Sequence, residues 1–199
     1  MKPDDVWRRC AQWGGIELDS DQVGLLQLYQ RWLTEEAGPA GALGPAEAGR
    51  IERRHIGDSL LFARCLPHSG ELVDLGSGAG LPGIPLAVAL PDLELVLVDR
   101  SGRRADLLRR VTRILDLPNV QVIQGDITAM PDSAPAIVSR ATMSPDDAEN
   151  LLLPRVEPGG VVVLGGSWVS PPTQPGWDIV EVPASILDQQ VWILMMRAK

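Results

Sequence analysis

The stretch Val73–Gly83 constrains the fold of this chain more than any other part of its sequence. It reads Val-Asp-Leu-Gly-Ser-Gly-Ala-Gly-Leu-Pro-Gly, with a strand-like apolar run before it and a helix-like run after it. Glycine adopts backbone conformations that other residues resist, so Gly76, Gly78 and Gly80 allow the backbone to pass close beneath a ligand. The spacing therefore predicts a strand, a tight ligand-binding turn and a helix in succession.

Around and after this loop the chain alternates short apolar runs with segments of helical length. The predicted strands are Glu71–Leu75, Glu94–Val98, Val120–Ile123, Ala136–Ser139, Gly160–Leu164, Asp178–Val182 and Val191–Met196, and the predicted helices are Gly83–Leu90, Gly102–Leu115 and Pro145–Leu153. Such alternation predicts a parallel sheet with helices on both faces. Only Pro183–Gln190 separates the last two strands, which is too short for a covered parallel crossover, so these two strands should run antiparallel.

Two further acidic residues follow predicted strands and should lie beside the glycine loop, because the carboxyl ends of parallel strands share one edge of the sheet. Asp99 closes the second strand and can accept hydrogen bonds from both hydroxyls of a ribose. Asp126 follows the third strand, where we expect it to meet an adenine edge. The glycine loop and these two acids together predict a site for an adenine nucleoside.

Two kinds of cofactor satisfy this pattern. Gly78–Gly83 fits the G-x-G-x-x-G dinucleotide fingerprint, in which a helix N-terminus holds a pyrophosphate. In this sequence the strand already ends at Gly76, and Asp74 adds negative charge where a pyrophosphate would bind. S-adenosyl-L-methionine instead carries a cationic sulfonium and ammonium, which an acidic residue favours. We therefore predict S-adenosyl-L-methionine as the cofactor, with a dinucleotide as the alternative.

The predicted fold is α/β and Rossmann-like, with a seven-stranded, mostly parallel sheet whose last strand is antiparallel, and it resembles the class I S-adenosylmethionine methyltransferases. Before the sheet, Asp21–Glu36 and Pro45–Leu66 carry apolar residues at helical spacing, joined by a stretch rich in Gly, Ala and Pro. We expect residues 1–66 to form an N-terminal helical extension packed on the core. Residues 67–199 should form the methyltransferase domain, with both parts in one structural unit.

The cysteines and the apolar runs of the sequence indicate the cellular compartment. Cys10 and Cys65 lie far apart and cannot form a disulfide framework or a metal-binding Cys-x-x-Cys pair, so we expect a reducing compartment and no metal. No apolar signal core follows Met1, and the longest apolar run, around Ile84–Leu90, is far shorter than the roughly 20 residues that span a bilayer. The sequence therefore predicts a cytoplasmic protein without a membrane partner.

The charge distribution bears on the partner. The net charge of −8 disfavours indiscriminate binding to nucleic acid. Nevertheless, six arginines lie between Arg100 and Arg113 against the single acidic residue Asp106, and Arg50–His55 contains a second basic cluster. Local basic patches can still hold a phosphate backbone. The alternative is that these arginines belong to solvated helix faces.

Several motifs resemble a known family, the small-subunit ribosomal RNA 7-methylguanosine methyltransferases, also called glucose-inhibited division protein B. The matching stretches are Arg54–Leu60 (Arg-His-Ile-Gly-Asp-Ser-Leu), Asp74–Leu86 with its Gly-Leu-Pro-Gly-Ile-Pro extension, and Ser139–Ala141. The preceding Leu43–Glu47, with Arg50, is similar to the entry helix of some members. The resemblance runs from about Gly24 to Leu164 and implies methyl transfer to N7 of a guanosine in 16S ribosomal RNA, with that RNA or the small ribosomal subunit as partner.

The resemblance also implies roles for individual residues in cofactor binding. Gly76 and Leu81 would line the cofactor pocket, and Asp99 would hold the ribose. Ile127 and Thr128 would hold the adenine through their backbone. These roles supplement the assignment of the glycine loop and the three acids above to the same cofactor.

Arg140, just after the fourth predicted strand, is our candidate catalytic residue; the resemblance places it beside the methionine end of the cofactor or the target base. Arginine often hydrogen-bonds to guanine O6, although a structural ion pair is an alternative role. We assign substrate contacts to Arg54, His55, Ser139 and Trp168. For His55, a structural role as a helix cap or core contact competes with that of a catalytic base.

The sequence leaves three functions open. The first is methylation of guanine N7 in small-subunit ribosomal RNA. The second is a small-molecule methyltransferase on the same scaffold. It is favoured by the acidic charge and by two differences from the family: Asp126–Thr128 replaces an Arg-(Ala/Val)-Glu triplet and Gly165-Gly166 replaces Lys-Gly. The third is a cofactor-binding module without catalytic activity.

Overall fold

The predicted strand–helix alternation is present in the computed structural model, which describes residues 3–166 and 172–199. The strands are β1 (Gly70–Leu75), β2 (Leu93–Asp99), β3 (Val120–Gln124), β4 (Ala134–Arg140), β5 (Val156–Gly165), β6 (Asp178–Val182) and β7 (Val191–Arg197). They form one sheet in the order β3-β2-β1-β4-β5-β7-β6. The first five strands pair in parallel, and β7 runs antiparallel to both β5 and β6. The predicted fold class is confirmed.

Helices fill the connections of the sheet and the N-terminal region. The α-helices are α1 (Pro3–Gly14), α2 (Ser20–Trp32), α3 (Asp58–Leu61), α4 (Gly83–Ala89), α5 (Gly102–Ile114), α6 (Pro145–Leu151) and α7 (Ala184–Leu187). Side chains of alternate residues in a strand point to opposite faces, so Leu72 and Val73 of β1 enter two different apolar clusters. One cluster packs beneath α1 to α5, and the other beneath α6.

The N-terminal region is more irregular than the sequence pattern predicts. The helix α2 continues as a π-helical segment, Leu33–Ala37, and the helix predicted over Pro45–Leu66 divides into four short segments. These segments are a 3₁₀ turn (Pro45–Arg50), a π-helical segment (Ile51–Gly57), α3 and a 3₁₀ turn (Phe62–Cys65). Close packing contributes to this geometry, since a Cβ atom on Gly57 would lie 3.2 Å from Leu187 and 3.4 Å from the Cys10 sulfur.

Hydrogen bonds attach the N-terminal region to the loops of the sheet. The Tyr29 hydroxyl donates to the Ala79 carbonyl inside the glycine loop at 2.8 Å. The Gln22 side-chain amide donates to the carbonyls of Val88 and Ala89 at the end of α4, at 3.0 and 3.2 Å. This region and one face of the sheet also share a continuous apolar cluster. The division of the chain at residue 66 stays a prediction.

Among residues 3–166 and 172–199, no helix is both long and apolar enough to cross a membrane.

Candidate active site

A cleft of about 410 Å³ opens at the carboxyl ends of the first four strands, where ligands bind in open α/β sheets. Gly76 and Thr142 lie on one side of it, following β1 and β4. Asp99, the last residue of β2, also lines it, as do Asp126 and Ile127, which follow β3. The parallel topology therefore brings together strand ends that are far apart in the sequence.

The glycine loop adopts the backbone conformation that its sequence predicts. Gly76, Gly78 and Gly80 have φ values of +78°, +60° and +98°, a left-handed region that residues with a Cβ atom rarely adopt. The backbone N–H of Gly76 donates to the Val98 carbonyl at 2.8 Å, which ties the loop to β2. A Cβ atom on Gly76 would lie 2.3 Å from the Thr142 methyl carbon, so this position also requires glycine for space.

Asp74 lies beneath the loop rather than in the cleft. Its carboxylate is fully buried, and Oδ2 accepts a hydrogen bond from the Gly83 backbone N–H at 3.0 Å. Oδ1 has no hydrogen-bond partner among the described residues. Burial raises the pKa of Asp74 to about 6, although the hydrogen bond from the Gly83 N–H and the nearby Ser77 hydroxyl lower it. Asp74 therefore stabilises the glycine loop. The loop backbone separates its carboxylate from a ligand in the cleft.

Backbone hydrogen bonds fix the position of the Asp99 carboxylate beside the cleft. Oδ2 accepts from the Gly78 N–H and Oδ1 accepts from the Ser101 N–H, both at 2.9 Å. The residue is only 3% exposed, and the Arg104 guanidinium lies 3.8 Å from Oδ2. An ionised carboxylate has about four acceptor positions, so two remain for ligand hydroxyls.

Asp126 caps the 3₁₀ turn Ile127–Ala129 that follows β3. Its Oδ1 accepts from the Thr128 backbone N–H at 2.8 Å and from the Thr128 hydroxyl at 2.7 Å. These hydrogen bonds lower the pKa of Asp126. Since the Thr128 N–H is already used by the cap, the groups that remain for a ligand at this end of the cleft belong to Asp126 and Ile127.

A second cavity, of about 260 Å³, adjoins the cleft. Its lining includes Glu47, Arg54, His55 and Arg140, and Ala141 lines both spaces. Ala141 has φ of +56°, an uncommon conformation for a residue with a Cβ atom. The Ala141 backbone N–H donates a hydrogen bond to the Gly165 carbonyl at 2.8 Å, which helps to hold Ala141 in this conformation. Strained backbone is typical of functional sites, and here it separates two cavities.

Arg140 is the centre of a polar network in the second cavity. One terminal nitrogen, Nη1, donates to Asp58 Oδ2 at 3.1 Å and to the Arg54 carbonyl at 3.3 Å. The other, Nη2, lies 3.4 Å from His55 Nδ1. A guanidinium has five N–H donors and no acceptor, so Nδ1 of His55 must be the acceptor. The geometry thus contains the ion pair that the sequence left as an alternative role for Arg140.

His55 is held in its neutral form. Burial, followed by the charge of Arg140, lowers the pKa of His55 to about 4, whereas Glu47 opposes the shift. The other ring nitrogen, Nε2, lies 3.0 Å from Glu47 Oε2 but does not form a well-aligned hydrogen bond with it. Asp58 is also buried, and burial raises its pKa while Arg140 lowers it.

Ser139 lies in the wall between β1 and β4. Its hydroxyl donates to the Leu75 carbonyl at 2.9 Å and contacts the Thr142 hydroxyl, and the residue is 1% exposed. This position supports the backbone that carries Arg140 and Ala141 and is set back from both cavities.

The structure distributes the residues proposed from the sequence over three places. Those that line the cleft are Gly76, Asp99, Asp126 and Ile127, and those that line the second cavity are Arg54, His55 and Arg140. Those that support these walls from outside the two linings are Asp74, Gly78, Gly80, Leu81, Thr128 and Ser139. Trp168, proposed as a substrate contact, lies outside the described residues.

Sequence reasoning missed Glu47 and the pairing of Asp58 with Arg140. Glu47 lies in the Gly-, Ala- and Pro-rich part of the sequence, and the resemblance of Leu43–Glu47 to the family assigned no role to its carboxylate. Asp58 and Arg140 are 82 residues apart in sequence. Met143 and Leu151, which also line the cleft, were missed as well. The position of Met143 soon after the end of β4 could have indicated it, whereas Leu151 is the last residue of α6.

The strand order, the glycine turn after β1 and the acid after β2 define a class of protein, the class I S-adenosylmethionine methyltransferase fold. A solved structure from Methanococcus maripaludis, assigned as an S-adenosyl-L-methionine-dependent methyltransferase, is similar with a TM-score of 0.56 and 16% identity, covering 92% of this chain and 96% of its own. Coclaurine N-methyltransferase, solved with N-methylheliamine and SAH, has a TM-score of 0.55 and 17% identity over 83% of this chain and 58% of its own.

Within this class, residues 22–169 match the family model for rRNA small subunit methyltransferase G, and the chain belongs to that family. The ribosomal RNA small subunit methyltransferase G of Acidothermus cellulolyticus is 37% identical over 139 residues, covering 70% of this chain and 63% of the relative. The relative from Nocardioides sp. is 35% identical over 154 residues, covering 76% and 62%. The chain therefore spans less than two thirds of the length of several relatives that it matches.

Proposed function

We propose that this protein transfers a methyl group from S-adenosyl-L-methionine to N7 of a guanosine in small-subunit ribosomal RNA. The observation that carries the proposal is the adjacency of two cavities that share Ala141. One has the geometry of a nucleoside-cofactor cleft, and the other is lined by arginine, histidine and carboxylate side chains suited to a polar base. The names of the family and its relatives support ribosomal RNA as the acceptor.

The residues of the cleft fit S-adenosyl-L-methionine. Asp99 retains acceptor capacity for the ribose hydroxyls, and Asp126 with Ile127 would meet the adenine. The glycine loop, with Leu81 and Asp74 beneath it, would shape the methionine end next to Gly76. The buried Asp74 carboxylate beneath the loop disfavours a pyrophosphate.

The proposed reaction requires little proton transfer by the side chains of this protein. Bound S-adenosyl-L-methionine supplies an electrophilic methyl group, which the in-plane lone pair of guanine N7 takes as the carbon–sulfur bond breaks and its electron pair stays on sulfur. N7 carries no proton, so no base is required, and positioning and electrostatics supply the rate. The neutral His55 is consistent with this requirement.

Arg140 would fix the acceptor base. Its guanidinium stays charged at any physiological pH and can donate to guanine O6 with the N–H groups that Asp58 and His55 do not occupy. Asp58 offsets its positive charge, which would otherwise oppose the cationic methylated base. Arg54 and His55 would complete the polar wall of this cavity.

RNA contact is proposed for exposed and half-buried arginines around the two cavities. Arg100 and Arg104 line the outer side of the cleft, and Arg103 is exposed beside them. Arg53 and Arg54 flank the second cavity. Each phosphate contact should steepen the salt dependence of RNA affinity by roughly 0.7–0.9 logarithmic units. Such a substrate belongs to the cytoplasm, where we expect the protein to act.

A small-molecule acceptor is the second candidate, and ion pairs favour it. Arg53 pairs with Asp188, Arg109 with Asp106 and Arg110 with Glu36, which reduces the net charge available to phosphates. Affinity for RNA that does not change with salt would support this candidate.

Two measurements test the proposed function. Calorimetric titration should show binding of S-adenosylhomocysteine and none of NAD. Purified protein should then methylate small ribosomal subunits from a strain that lacks the gene, with mass spectrometry detecting 7-methylguanosine in their RNA. Binding of NAD without S-adenosylhomocysteine, or unmethylated RNA beside an active methyl transfer to another acceptor, would contradict it.

A further inference from the structure

We propose that Glu47 determines specificity for guanine by accepting hydrogen bonds from N1–H and the 2-amino group of the acceptor base. This inference rests on the proposed function, because it takes the second cavity as the acceptor site. It assigns a role to a side chain that the chemistry above does not use.

Glu47 lines the second cavity, which we call the acceptor cavity under this proposal, and does not line the cleft. It lies in the 3₁₀ turn Pro45–Arg50, which its backbone N–H stabilises by donating to the Gly44 carbonyl at 2.9 Å. The cavity is lined by two carboxylates, Glu47 and Asp58. Asp58 already forms an ion pair with Arg140, and its side chain is only 9% exposed. The Glu47 side chain is 28% exposed. Glu47 is thus the carboxylate that a base in this cavity can reach.

The contacts of Glu47 leave acceptor positions free. Oε2 lies 3.0 Å from His55 Nε2, and Oε1 lies 3.9 Å from the Arg50 guanidinium, which is too long for a hydrogen bond. A carboxylate with about four acceptor positions can therefore receive two donors from a ligand.

Guanine presents complementary groups on its two edges. N7 and O6 are acceptors on one edge, and the 2-amino group is a donor on the other, with N1–H beside it. A base that turns N7 past Ala141 toward the cleft would keep its donors inside the second cavity, which Glu47 lines. Adenine has an acceptor at N1 and no amino group at C2, so it would leave a partly buried carboxylate unpaired.

The same contact favours the reaction. As the methyl group passes to N7, positive charge moves onto the purine ring, and a carboxylate bound to N1–H stabilises that charge more than it stabilises the neutral base. An interaction that strengthens toward the transition state raises kcat. The charges of Arg140 and Asp58 cancel, so Glu47 is the carboxylate that can supply this stabilisation.

The test is equilibrium binding of mononucleotides to the full chain with saturating S-adenosylhomocysteine. Wild type should bind guanosine 5′-monophosphate ~10-fold to ~100-fold more tightly than inosine 5′-monophosphate, which lacks the 2-amino group, as expected for one hydrogen bond to a charged group. Adenosine 5′-monophosphate should bind at least as weakly as the inosine nucleotide. Glu47→Gln should bring the guanosine-to-inosine ratio close to unity.

Two variants serve as controls. Glu47→Asp retains a carboxylate and should keep part of the guanosine preference, and Glu35→Gln changes an exposed carboxylate outside both cavities and should keep all of it. A guanosine preference that survives in Glu47→Gln, or a wild type without one, would overturn the inference. The proposed function fails separately, through absent S-adenosylhomocysteine binding or unmethylated ribosomal RNA in a protein that still prefers guanosine nucleotide.

Discussion

Two aspartates near the glycine loop look equivalent in sequence but differ in their surroundings. Asp99 has both oxygens on backbone N–H groups and faces the cleft. Asp74 is fully buried, with one oxygen on the Gly83 N–H and the other without a partner among the described residues. We therefore expect one to act on ligand affinity and the other on stability.

Asp99→Ala should weaken S-adenosylhomocysteine binding by about 1.5–3 kcal/mol, the usual contribution of hydrogen bonds to a charged group. The loss arises from the ribose contact and from release of the Gly78 N–H. Isothermal titration calorimetry measures it. Asp92→Ala, an exposed aspartate at the other end of β2, is the matched control. Unchanged affinity in Asp99→Ala would remove this residue from the cofactor site.

Asp74→Asn should change how stability depends on pH. Burial raises the pKa of Asp74 from 3.8 to about 6, so between these values the folded protein retains a proton that the unfolded chain releases. The free energy of unfolding of the wild type then falls as pH rises through this window. Asparagine does not titrate, so the variant should gain about 3 kcal/mol relative to wild type between pH 4 and pH 7.

Urea denaturation of both proteins across this pH range measures the difference. The contribution of His55, whose pKa is lowered to about 4, has the opposite slope but is common to both proteins and cancels. Asp92→Asn, at an exposed aspartate outside the glycine loop, is the matched control. A difference for Asp74→Asn that is constant from pH 4 to pH 7 would show that Asp74 titrates normally.

At the scale of elements, a glycine with positive φ lies at each end of β1. The two glycines differ in what surrounds them. Gly70 begins the strand with φ of +88° and has no atom within 4 Å of a Cβ position. Gly76 follows the strand with φ of +78°, and its Cβ would lie 2.3 Å and 3.1 Å from two carbons of Thr142. The pair separates backbone strain from steric overlap.

Gly70→Ala should therefore cost about 1–2 kcal/mol, from the left-handed conformation alone. Gly76→Ala should cost about 1–3 kcal/mol more, since the Thr142 side chain must also move. Denaturant titration gives both values, and calorimetry should show weakened S-adenosylhomocysteine binding in the Gly76 variant only. Equal losses for the two variants would mean that Thr142 yields without cost.

The elements of the sheet could be predicted from sequence because each is a short apolar run with a turn residue at its end. Asp178–Val182 is correct at both ends, and β2 extends one residue beyond the prediction on each side. The helix predicted over Pro45–Leu66 is wrong as a single element. Gly49 and Gly57 weaken a regular helix, and tertiary contacts at Gly57 determine the local geometry instead.

At the scale of the whole molecule, the Arg140–Asp58 ion pair joins β4 to the N-terminal region. The meeting of Asp99 and Asp126 in one cleft could be predicted because parallel topology places strand ends together. The lining of the second cavity could not be predicted, since Glu47, His55, Asp58 and Arg140 meet only after the N-terminal region packs on the sheet. A pattern of spacing contains no information on such a long-range pairing.

Arg140→Ala should lower the free energy of unfolding by about 3–5 kcal/mol, because it leaves the Asp58 carboxylate buried without its partner. The double variant Arg140→Met, Asp58→Leu removes both charges and should regain most of that stability. If Arg140 contacts the acceptor, the double variant should still lose activity by ~10-fold to ~100-fold, which corresponds to ~1.4–2.7 kcal/mol.

Thermal melting and methyl-transfer rates, measured side by side on the single and double variants, test this expectation. A double variant that regains both stability and activity would show that Arg140 has only a structural role. Arg31→Ala, at an exposed arginine on α2, should alter neither measurement.

The boundary at Ala141 has a consequence for how this family can diverge. Under the proposed function, donor and acceptor would be bound by different parts of the chain, the strand ends on one side and the segment from residue 47 to residue 58 on the other, with the end of β4 at the junction. Exchange of that one short segment would then alter what is modified and leave the site of the methyl donor unchanged. New acceptors would thus evolve without any intermediate that loses its cofactor.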